Sequence, residues 1–332
     1  MKLTGISFRL LLVFLGSLLA ASRLTAAPPA EPPVKSLRIT VLSTMLAGNP
    51  LYEGIGEWGF AALVEVDGRR ILYDTGLRPE TVLNNARELG VDLGDITDVV
   101  LSHYHPDHTG GLLTLRRAFA GKNPAAFSRV HVGTGIFWSR GTSASGEPLN
   151  SMLTLKPGLE AAGCVFVEHG GPFEIAPGVW LTGPVPRVYP EQNWSDTDHV
   201  QTPGGIVPDN IPEDSALVFD TRRGLVVLTG CGHSGGVNIL TRAQAAVRPA
   251  ASVHALIGGL HLFRADEKTL AWTAGKFREF GVANLLSTHC TGIEATYRLR
   301  ALAGLKRETA AVGAVGATFD LDRGIDPRLL GR

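Results

Sequence analysis

Residues 102–111 read Ser-His-Tyr-His-Pro-Asp-His-Thr-Gly-Gly and concentrate more metal-binding side chains than any other stretch of this chain. His103 and His105 are two residues apart, so on an extended segment both imidazoles point to the same face. A proline ends the extension, and Asp107 and His108 follow in a turn from which they can reach the same point. Neutral imidazoles and a carboxylate are ligands that Zn²⁺ and similar cations take. The stretch therefore predicts a metal site, the alternative being histidines that pack or face solvent without metal.

The segments on both sides of this motif alternate between strand and helix patterns. Residues 60–66 and 70–74 predict a hairpin around the Asp67-Gly68 turn, and residues 79–89 predict a helix that starts at a proline and ends before a glycine. Further strands are predicted at residues 36–42, 98–101, 128–132, 165–168, 179–182, 215–220, 225–229, 255–257, 284–287 and 314–321, and further helices at residues 112–119, 236–246, 268–280 and 293–302. Interleaved strands and helices predict an α/β (α+β) fold, with sheets covered by helices on their outer faces.

The composition excludes several classes of protein. The 332 residues include 31 Lys and Arg and 31 Asp and Glu, so the formal net charge is zero. Without a basic excess the chain has little to displace counterions from phosphates, which argues against a nucleic-acid partner. Hydrophobic residues make up 44% of the chain, which argues against disorder, and three cysteines are too few for a disulfide scaffold.

The N-terminal segment has the order of a secretory signal. Lys2 and Arg9 precede an apolar run over residues 10–21, and small residues lead to Ala26. This order predicts a signal peptide over residues 1–26 and an exported, periplasmic product without a stable membrane anchor after cleavage. An uncleaved anchor and a buried helix are the alternatives.

The rest of the chain predicts one domain. Residues 27–35 are a proline-rich linker, and residues 36–332 show no further boundary. Two loops, residues 135–155 and 185–214, stand out by their length, and a long loop in a compact domain is usually functional or disordered. We expect these loops to set the specificity for a small-molecule substrate.

The histidine motif resembles the His-x-His-x-Asp-His signature of the metallo-β-lactamase superfamily. Asp74, about thirty residues upstream in Asp-Thr-Gly, matches the first motif of that family. Cys231 falls where the family has a metal-bridging Asp or Cys, and His289 falls at its last ligand histidine. The resemblance covers roughly residues 37–321 and implies a four-layer αββα sandwich with a metal site along one edge.

A narrower resemblance points to one branch of this superfamily, which contains the archaeal dihydropterin ribofuranosyl-aminobenzene 5′-phosphate synthase. The segments that carry it are residues 57–60, 182–187, 230–235, 258–262 and 288–292. The chain departs from the general superfamily in one place, because the third-motif histidine expected near residues 183–187 is absent.

The missing ligand must come from elsewhere if a first metal is held well. His233 lies two residues past Cys231 and is the nearest substitute, although a helix cap is the alternative role. Cys231 is either a ligand or a small buried residue. Asp74 either caps its turn or, as the family implies, orients the ligand loop. His261 follows a buried strand and is expected to contact the substrate or transition state rather than the metal.

The resemblance implies metal-dependent hydrolysis of an ester, lactone or phosphoester through a metal-activated water. His103, His105 and His233 would hold the first of one or two ions. Asp107, His108 and His289 would hold the second, with Cys231 between them or just outside and Asp107 also placed to orient the nucleophile. Zinc suits these ligands best, and manganese or iron is the alternative.

Two other functions compete with hydrolysis. One is a pterin-type transferase related to the archaeal synthase, which an export signal disfavours. The other is a non-catalytic metal-binding or scavenging protein. Cys290 has no comparable context in the sequence, and His131, His169 and His254 predict packing roles.

Overall fold

The computed structural model describes residues 33–49, 51, 54–191, 193 and 198–331. The predicted signal peptide, residues 1–26, and the predicted linker up to residue 32 lie outside these residues. Pro32–Arg332 form one compact unit. No helix in the described part of the chain is long and apolar enough to cross a membrane.

The strands fall into two large sheets and one small hairpin. In chain order they are β1 (Leu37–Ser43), β2 (Ala61–Val66), β3 (Arg69–Tyr73), β4 (Asp98–Leu101), β5 (Arg129–Gly133), β6 (Val165–His169), β7 (Phe173–Ala176), β8 (Val179–Leu181), β9 (His199–Thr202), β10 (Gly205–Pro208), β11 (Leu217–Thr221), β12 (Gly224–Thr229), β13 (Val253–Gly258), β14 (Asn284–Ser287), β15 (Ala310–Val312), β16 (Thr318–Asp320) and β17 (Gly324–Asp326). The first sheet has the order β17-β16-β1-β2-β3-β4-β5-β6, and the second has the order β15-β14-β13-β12-β11-β8-β7. Strands β9 and β10 form a separate two-stranded sheet among the described strands.

Helices lie between the strands along the chain. They are α1 (Thr81–Glu88), α2 (Pro106–Thr109), α3 (Leu112–Ala120), α4 (Ser151–Ala161), α5 (Gly236–Ala246), α6 (Glu267–Glu279) and α7 (Ile293–Ala303). Short 3-10 turns cover His289–Thr291 and Leu329–Gly331.

Three apolar clusters show how these elements form layers. One cluster joins the inner faces of the two sheets and includes Val64, Phe219 and Ile257. A second lies between the first sheet and helices α1, α3 and α4, and a third lies between the second sheet and helices α5, α6 and α7. The predicted four-layer αββα architecture is therefore confirmed.

The β2–β3 hairpin illustrates how the sequence sets this architecture. Its two turn residues, Asp67 and Gly68, have φ values of 45° and 80°. Asp and Gly are the residues that adopt such left-handed conformations most readily, and two of them in succession match the twist of a two-residue hairpin. The pairing places Val64 opposite Ile71, both buried in the core between the sheets.

The structure departs from the sequence prediction mainly in the two long loops. The segment predicted as a loop over residues 185–214 contains the β9–β10 hairpin, and the loop over residues 135–155 ends in the first turn of α4. That helix begins where the Asn150 side chain accepts a hydrogen bond from the backbone of Met152, at 2.9 Å. Strands β7, β15 and β17 were not predicted. Each is only three or four residues long and extends an existing sheet edge, so tertiary pairing rather than local pattern defines it.

The parallel strands set the position of the functional residues. Strands β3 and β4 are parallel neighbours in the first sheet, and β12, β13 and β14 are parallel neighbours in the second. The carboxyl ends of parallel neighbours share one edge of a sheet, and ligand sites in α/β proteins form at such edges. Each of the five segments that follow these strands carries candidate site residues.

Candidate metal centre

The first cluster of possible ligands consists of His103, His105 and His233, whose ligand atoms lie within 4.8 Å of one another. His103 and His105 follow β4, and His233 follows β12, so the two sheets contribute jointly. Nε2 of His103 is 2.8 Å from Nδ1 of His105. Nδ1 of His233 is 2.6 Å from the carbonyl oxygen of Asn193, so this nitrogen donates and Nε2 keeps its lone pair. The structure thus brings His233, the substitute predicted for the missing third-motif histidine, within reach of His103 and His105.

Burial keeps these imidazoles neutral. Desolvation, followed by the charges of neighbouring histidines, holds the pKa of both His103 and His233 well below the usual value of 6.5. Burial lowers the pKa of His105 to about 4, although the Asp107 carboxylate opposes the shift. A neutral imidazole is the form that binds a metal cation.

The second cluster consists of Asp107, His108, Cys231 and His289. Nε2 of His108 is 3.1 Å from Sγ of Cys231, and Nε2 of His289 is 3.2 Å from Oδ2 of Asp107, although not in hydrogen-bond geometry. Burial alone would raise the pKa of the Asp107 carboxyl, but His108 and His289 hold it well below its usual range. The cluster thus combines a carboxylate, two imidazoles and a thiol, a donor set that suits a transition metal.

His261 adjoins both clusters. It follows β13, and its ring centroid lies 4.5 Å from that of His233. Its ligand atom also lies within 4.8 Å of those of Cys231 and His233, so the position allows metal binding as well as the substrate contact that the sequence predicts.

Asp74 supports the ligand loop from behind. Its buried carboxylate accepts hydrogen bonds from the backbone and hydroxyl of Ser102, at 2.7 and 2.8 Å, and lies 2.7 Å from Nδ1 of His108. Nδ1 of His108 therefore carries the proton, and Nε2 offers its lone pair to a cation. This contact agrees with the orienting role that the family resemblance implies for Asp74.

The backbone around the clusters adopts strained conformations. Asp74, His261 and His289 have φ values of 55°, 50° and 46°. Left-handed conformations cost a non-glycine residue about 1 kcal/mol or more, and they concentrate at functional sites. Gly230 allows the two sheets to meet here, because a Cβ at this position would lie 2.1 Å from Oγ of Ser102.

Cys290 belongs to this region, although its sequence context did not single it out. Its Sγ lies 3.3 Å from Sγ of Cys231. Gly259 makes the approach possible, because a Cβ at Gly259 would lie 2.9 Å from Sγ of Cys290. Burial disfavours a thiolate at Cys290, but contacts with Cys231 and His289 lower its pKa. The only signal in the sequence was its position next to His289.

Arg140 forms a buried ionic network that sequence reasoning also missed. Its guanidinium donates to Asp209 and Glu213, both at 2.7 Å, and lies 3.7 Å from the ring centroid of Tyr104. The Tyr104 ring in turn lies 4.5 Å from that of His105. The network therefore ties the two long loops to the ligand segment.

The predicted packing roles of His131 and His169 agree with the structure. Nδ1 of His131 lies 3.0 Å from Nε2 of His169, and their rings stack with centroids 5.2 Å apart. Nε2 of His131 is 3.2 Å from Oδ1 of Asp98. The pair lies on β5 and β6, apart from the two ligand clusters.

We expect His169 to make stability depend on pH. Burial, followed by the charge of His131, lowers the pKa of His169 from 6.5 to about 4. Between these two pKa values the unfolded chain binds more protons than the folded chain. The contribution of His169 to the free energy of unfolding is therefore complete above pH 6.5 and is lost as the pH falls towards 4. His169→Gln should lose less stability than the wild type over this range, by roughly 2 kcal/mol. Urea midpoints at both ends of the range measure the difference.

The exposed His199 provides a control, since the stability of His199→Gln should follow that of the wild type. The assignment would be contradicted if stability changed with pH by the same amount in all three proteins.

Unpartnered nitrogens indicate that the clusters suit a cation. Among the described residues, buried ring nitrogens without a hydrogen-bond partner include Nε2 of His233, Nδ1 of His261 and both nitrogens of His289. A buried polar atom without a partner costs about 1–3 kcal/mol, which a bound metal ion would offset. The available donors fit a transition metal, and they do not distinguish zinc from manganese or iron.

Comparison with known proteins places this arrangement in a family. A family model described as the metallo-beta-lactamase superfamily matches residues 59–245, which is more than half of the chain. The chain belongs to the metallo-β-lactamase superfamily. The resemblance predicted from the motifs is thereby confirmed.

Two relatives from Methanocaldococcus jannaschii resemble most of this metallo-β-lactamase-superfamily chain. A 7,8-dihydropterin-6-methyl-4-(beta-D-ribofuranosyl)-aminobenzene-5'-phosphate synthase is 28% identical over 271 residues, covering 79% of this chain and 90% of the relative. An uncharacterised protein is 27% identical over 265 residues, covering 78% of this chain and 93% of the relative.

Solved structures show the same fold. A metal-dependent hydrolase of the beta-lactamase superfamily has a TM-score of 0.67 and 26% identity, covering 85% of this chain and 98% of that protein. A diphosphatase from the PhnP family has a TM-score of 0.50 and 15% identity, covering 87% of this chain and 98% of that protein.

Proposed function

We propose that this protein is a metal-dependent hydrolase acting on an ester, lactone or phosphoester. The observation that carries the proposal is the pair of ligand clusters, His103/His105/His233 and Asp107/His108/Cys231/His289, at one edge of the sandwich. Bound metal would lower the pKa of water and polarise the scissile carbonyl or phosphoryl oxygen. The predicted signal peptide, residues 1–26, supports export as part of the same proposal.

Three residues of the protein have further roles in binding and orientation. Asp74 holds the proton of His108 on Nδ1, so that Nε2 remains a ligand. Asp107, with its depressed pKa, stays ionised and can accept a hydrogen bond from the attacking nucleophile. His261 adjoins His233 at the edge of an open cavity, where it can contact the substrate next to the reacting bond.

The main alternative is a pterin-type transferase. It is favoured by the 28% identity over 271 residues to the synthase of Methanocaldococcus jannaschii. The alternative would be established if this protein formed the compound in that enzyme's name and hydrolysed no ester, lactone or phosphoester.

Metal content and activity test the hydrolase directly. Protein purified without chelators should carry one to two equivalents of transition metal per chain by elemental analysis, because the two clusters have separate donor sets. Chelator treatment should reduce hydrolysis of bis(4-nitrophenyl) phosphate, a 4-nitrophenyl ester or a γ-lactone by at least about 100-fold, and Zn²⁺, Mn²⁺ or Fe²⁺ should restore it. Metal well below one equivalent would contradict the proposal. Full metal without turnover of any substrate would favour the non-catalytic metal-binding protein.

A further inference from the structure

A cavity of about 920 Å³ opens beside His261 and extends away from the ligand clusters. The lining residues that indicate its contents are Glu191, His261, Phe263, Arg264, Asp266, Lys268 and Trp272. His261 belongs to the wall nearest the clusters, since its ring lies 4.5 Å from that of His233. A ligand that reaches the reacting centre past His261 can therefore place its distal part in this cavity.

Two exposed aromatic rings line the cavity. Phe263 is 40% exposed and Trp272 is 36% exposed. The Phe263 ring lies 5.2 Å from that of His261 and 5.3 Å from that of Trp58, and the Arg264 guanidinium lies 5.2 Å from its centroid. Open aromatic rings in a concave site favour flat, unsaturated ligands, because ring stacking adds about 0.5–1.5 kcal/mol to the burial of apolar surface.

The cavity lining carries two cations, Arg264 and Lys268, and two carboxylates, Glu191 and Asp266. Glu191 accepts hydrogen bonds from the backbone at the start of α5, and Asp266 accepts one from Thr269 at the start of α6, so both carboxylates are already engaged. No described carboxylate lies within ion-pair distance of Arg264 or Lys268. Cations that line a cavity and lack carboxylate partners attract an anionic group on the ligand.

We infer that this cavity binds the unreactive part of the substrate, and that this part is an aromatic ring bearing an anionic group. The ring stacks on Phe263 and Trp272, and the anion is held by Arg264 and Lys268. The inference rests on the proposed function, because it assigns the reaction to the adjacent clusters. It adds the class of substrate that the hydrolase selects.

A binding experiment on the metal-loaded protein tests this substrate class without requiring turnover. The probe is naphthalene-2-sulfonate, because a sulfonate is a weak metal ligand and reports on the cavity rather than on the metals. Titration calorimetry should show one site per chain. Cyclohexanesulfonate, which lacks the ring, and 2-naphthalenemethanol, which lacks the charge, should each bind at least about 10-fold more weakly.

Variants locate the site. R264Q/K268Q should weaken binding of the probe at least about 10-fold, and Trp272→Leu should weaken it about 5-fold, with unchanged metal content and melting temperature. The matched control is K306Q/R307Q, which removes the same charges from an exposed loop and should bind like the wild type. No binding by the wild type, equal affinity for the saturated sulfonate, or equal losses in both double variants would overturn the inference. Because binding is measured directly, absence of hydrolysis would contradict the proposed function and leave this result standing.

Discussion

Replacement of His233 by alanine should lower the metal content by about one equivalent and the hydrolytic rate by at least about 100-fold. His233 forms a cluster with His103 and His105, and we propose that it replaces the third-motif histidine that the sequence lacks. Two imidazoles and water hold Zn²⁺ poorly, so the loss of the third donor should release the ion. Elemental analysis and the rate of substrate hydrolysis measure the two effects on one preparation.

His261→Ala is the matched comparison. We expect this variant to retain full metal and to lose activity, because the sequence assigns His261 to the substrate. The geometry also allows His261 to bind metal with Cys231 and His233, so the comparison discriminates between real alternatives. If His233→Ala keeps its metal while His261→Ala loses it, the two roles must be exchanged.

Asp74→Asn should reduce metal affinity and activity by about 100-fold while leaving the fold intact. Asparagine has nearly the same shape and tolerates the φ of 55° at this position. One amide oxygen can still accept from the Ser102 backbone, but the NH₂ group cannot accept a proton from Nδ1 of His108. His108 would then carry its proton on Nε2, the nitrogen that faces Cys231 and must bind the metal.

Competitive metal titration and nitrogen NMR of the imidazoles would follow the affinity and the tautomer together. Ser102→Ala is the comparison, since it removes a hydroxyl that contacts both the same carboxylate and Nδ1 of His103 but leaves the Asp74 acceptor of His108 in place. Its metal affinity should stay within about 10-fold of the wild type, with the tautomer of His108 unchanged. Wild-type metal affinity in Asp74→Asn would show that the carboxylate does not set the tautomer.

The sequence was informative for most of the candidate ligands that follow a strand. His103, His105, Asp107 and His108 occupy one short segment after β4, and His289 comes directly after β14 with only Thr288 between them. Strand and helix patterns are visible locally, so sheets covered by helices could be predicted from them. The αββα order and the metal site along one edge were implied by the family resemblance, and the carboxyl ends of the parallel strands explain why these residues meet there.

The residues that were missed depend on contacts between distant segments. Cys290 meets Cys231 only because Gly259, on the loop between them, has no side chain. Arg140 reaches Tyr104 from a loop whose path has no periodic pattern. Such contacts are set by the packed fold rather than by spacing along the chain.

The pairing of β1 with both β2 and β16 has a consequence for biosynthesis. The first strand of the domain lies inside its sheet, and one of its neighbours comes from the last part of the chain. The edge of Leu37–Ser43 that faces β16 remains unpaired until nearly the whole domain is available for folding, and unpaired edges promote association with other chains. A polypeptide that stops before Thr318 retains every residue of both metal clusters but leaves this edge open. Premature termination near the C-terminus would therefore abolish function through aggregation of nascent chains, although no metal ligand is lost.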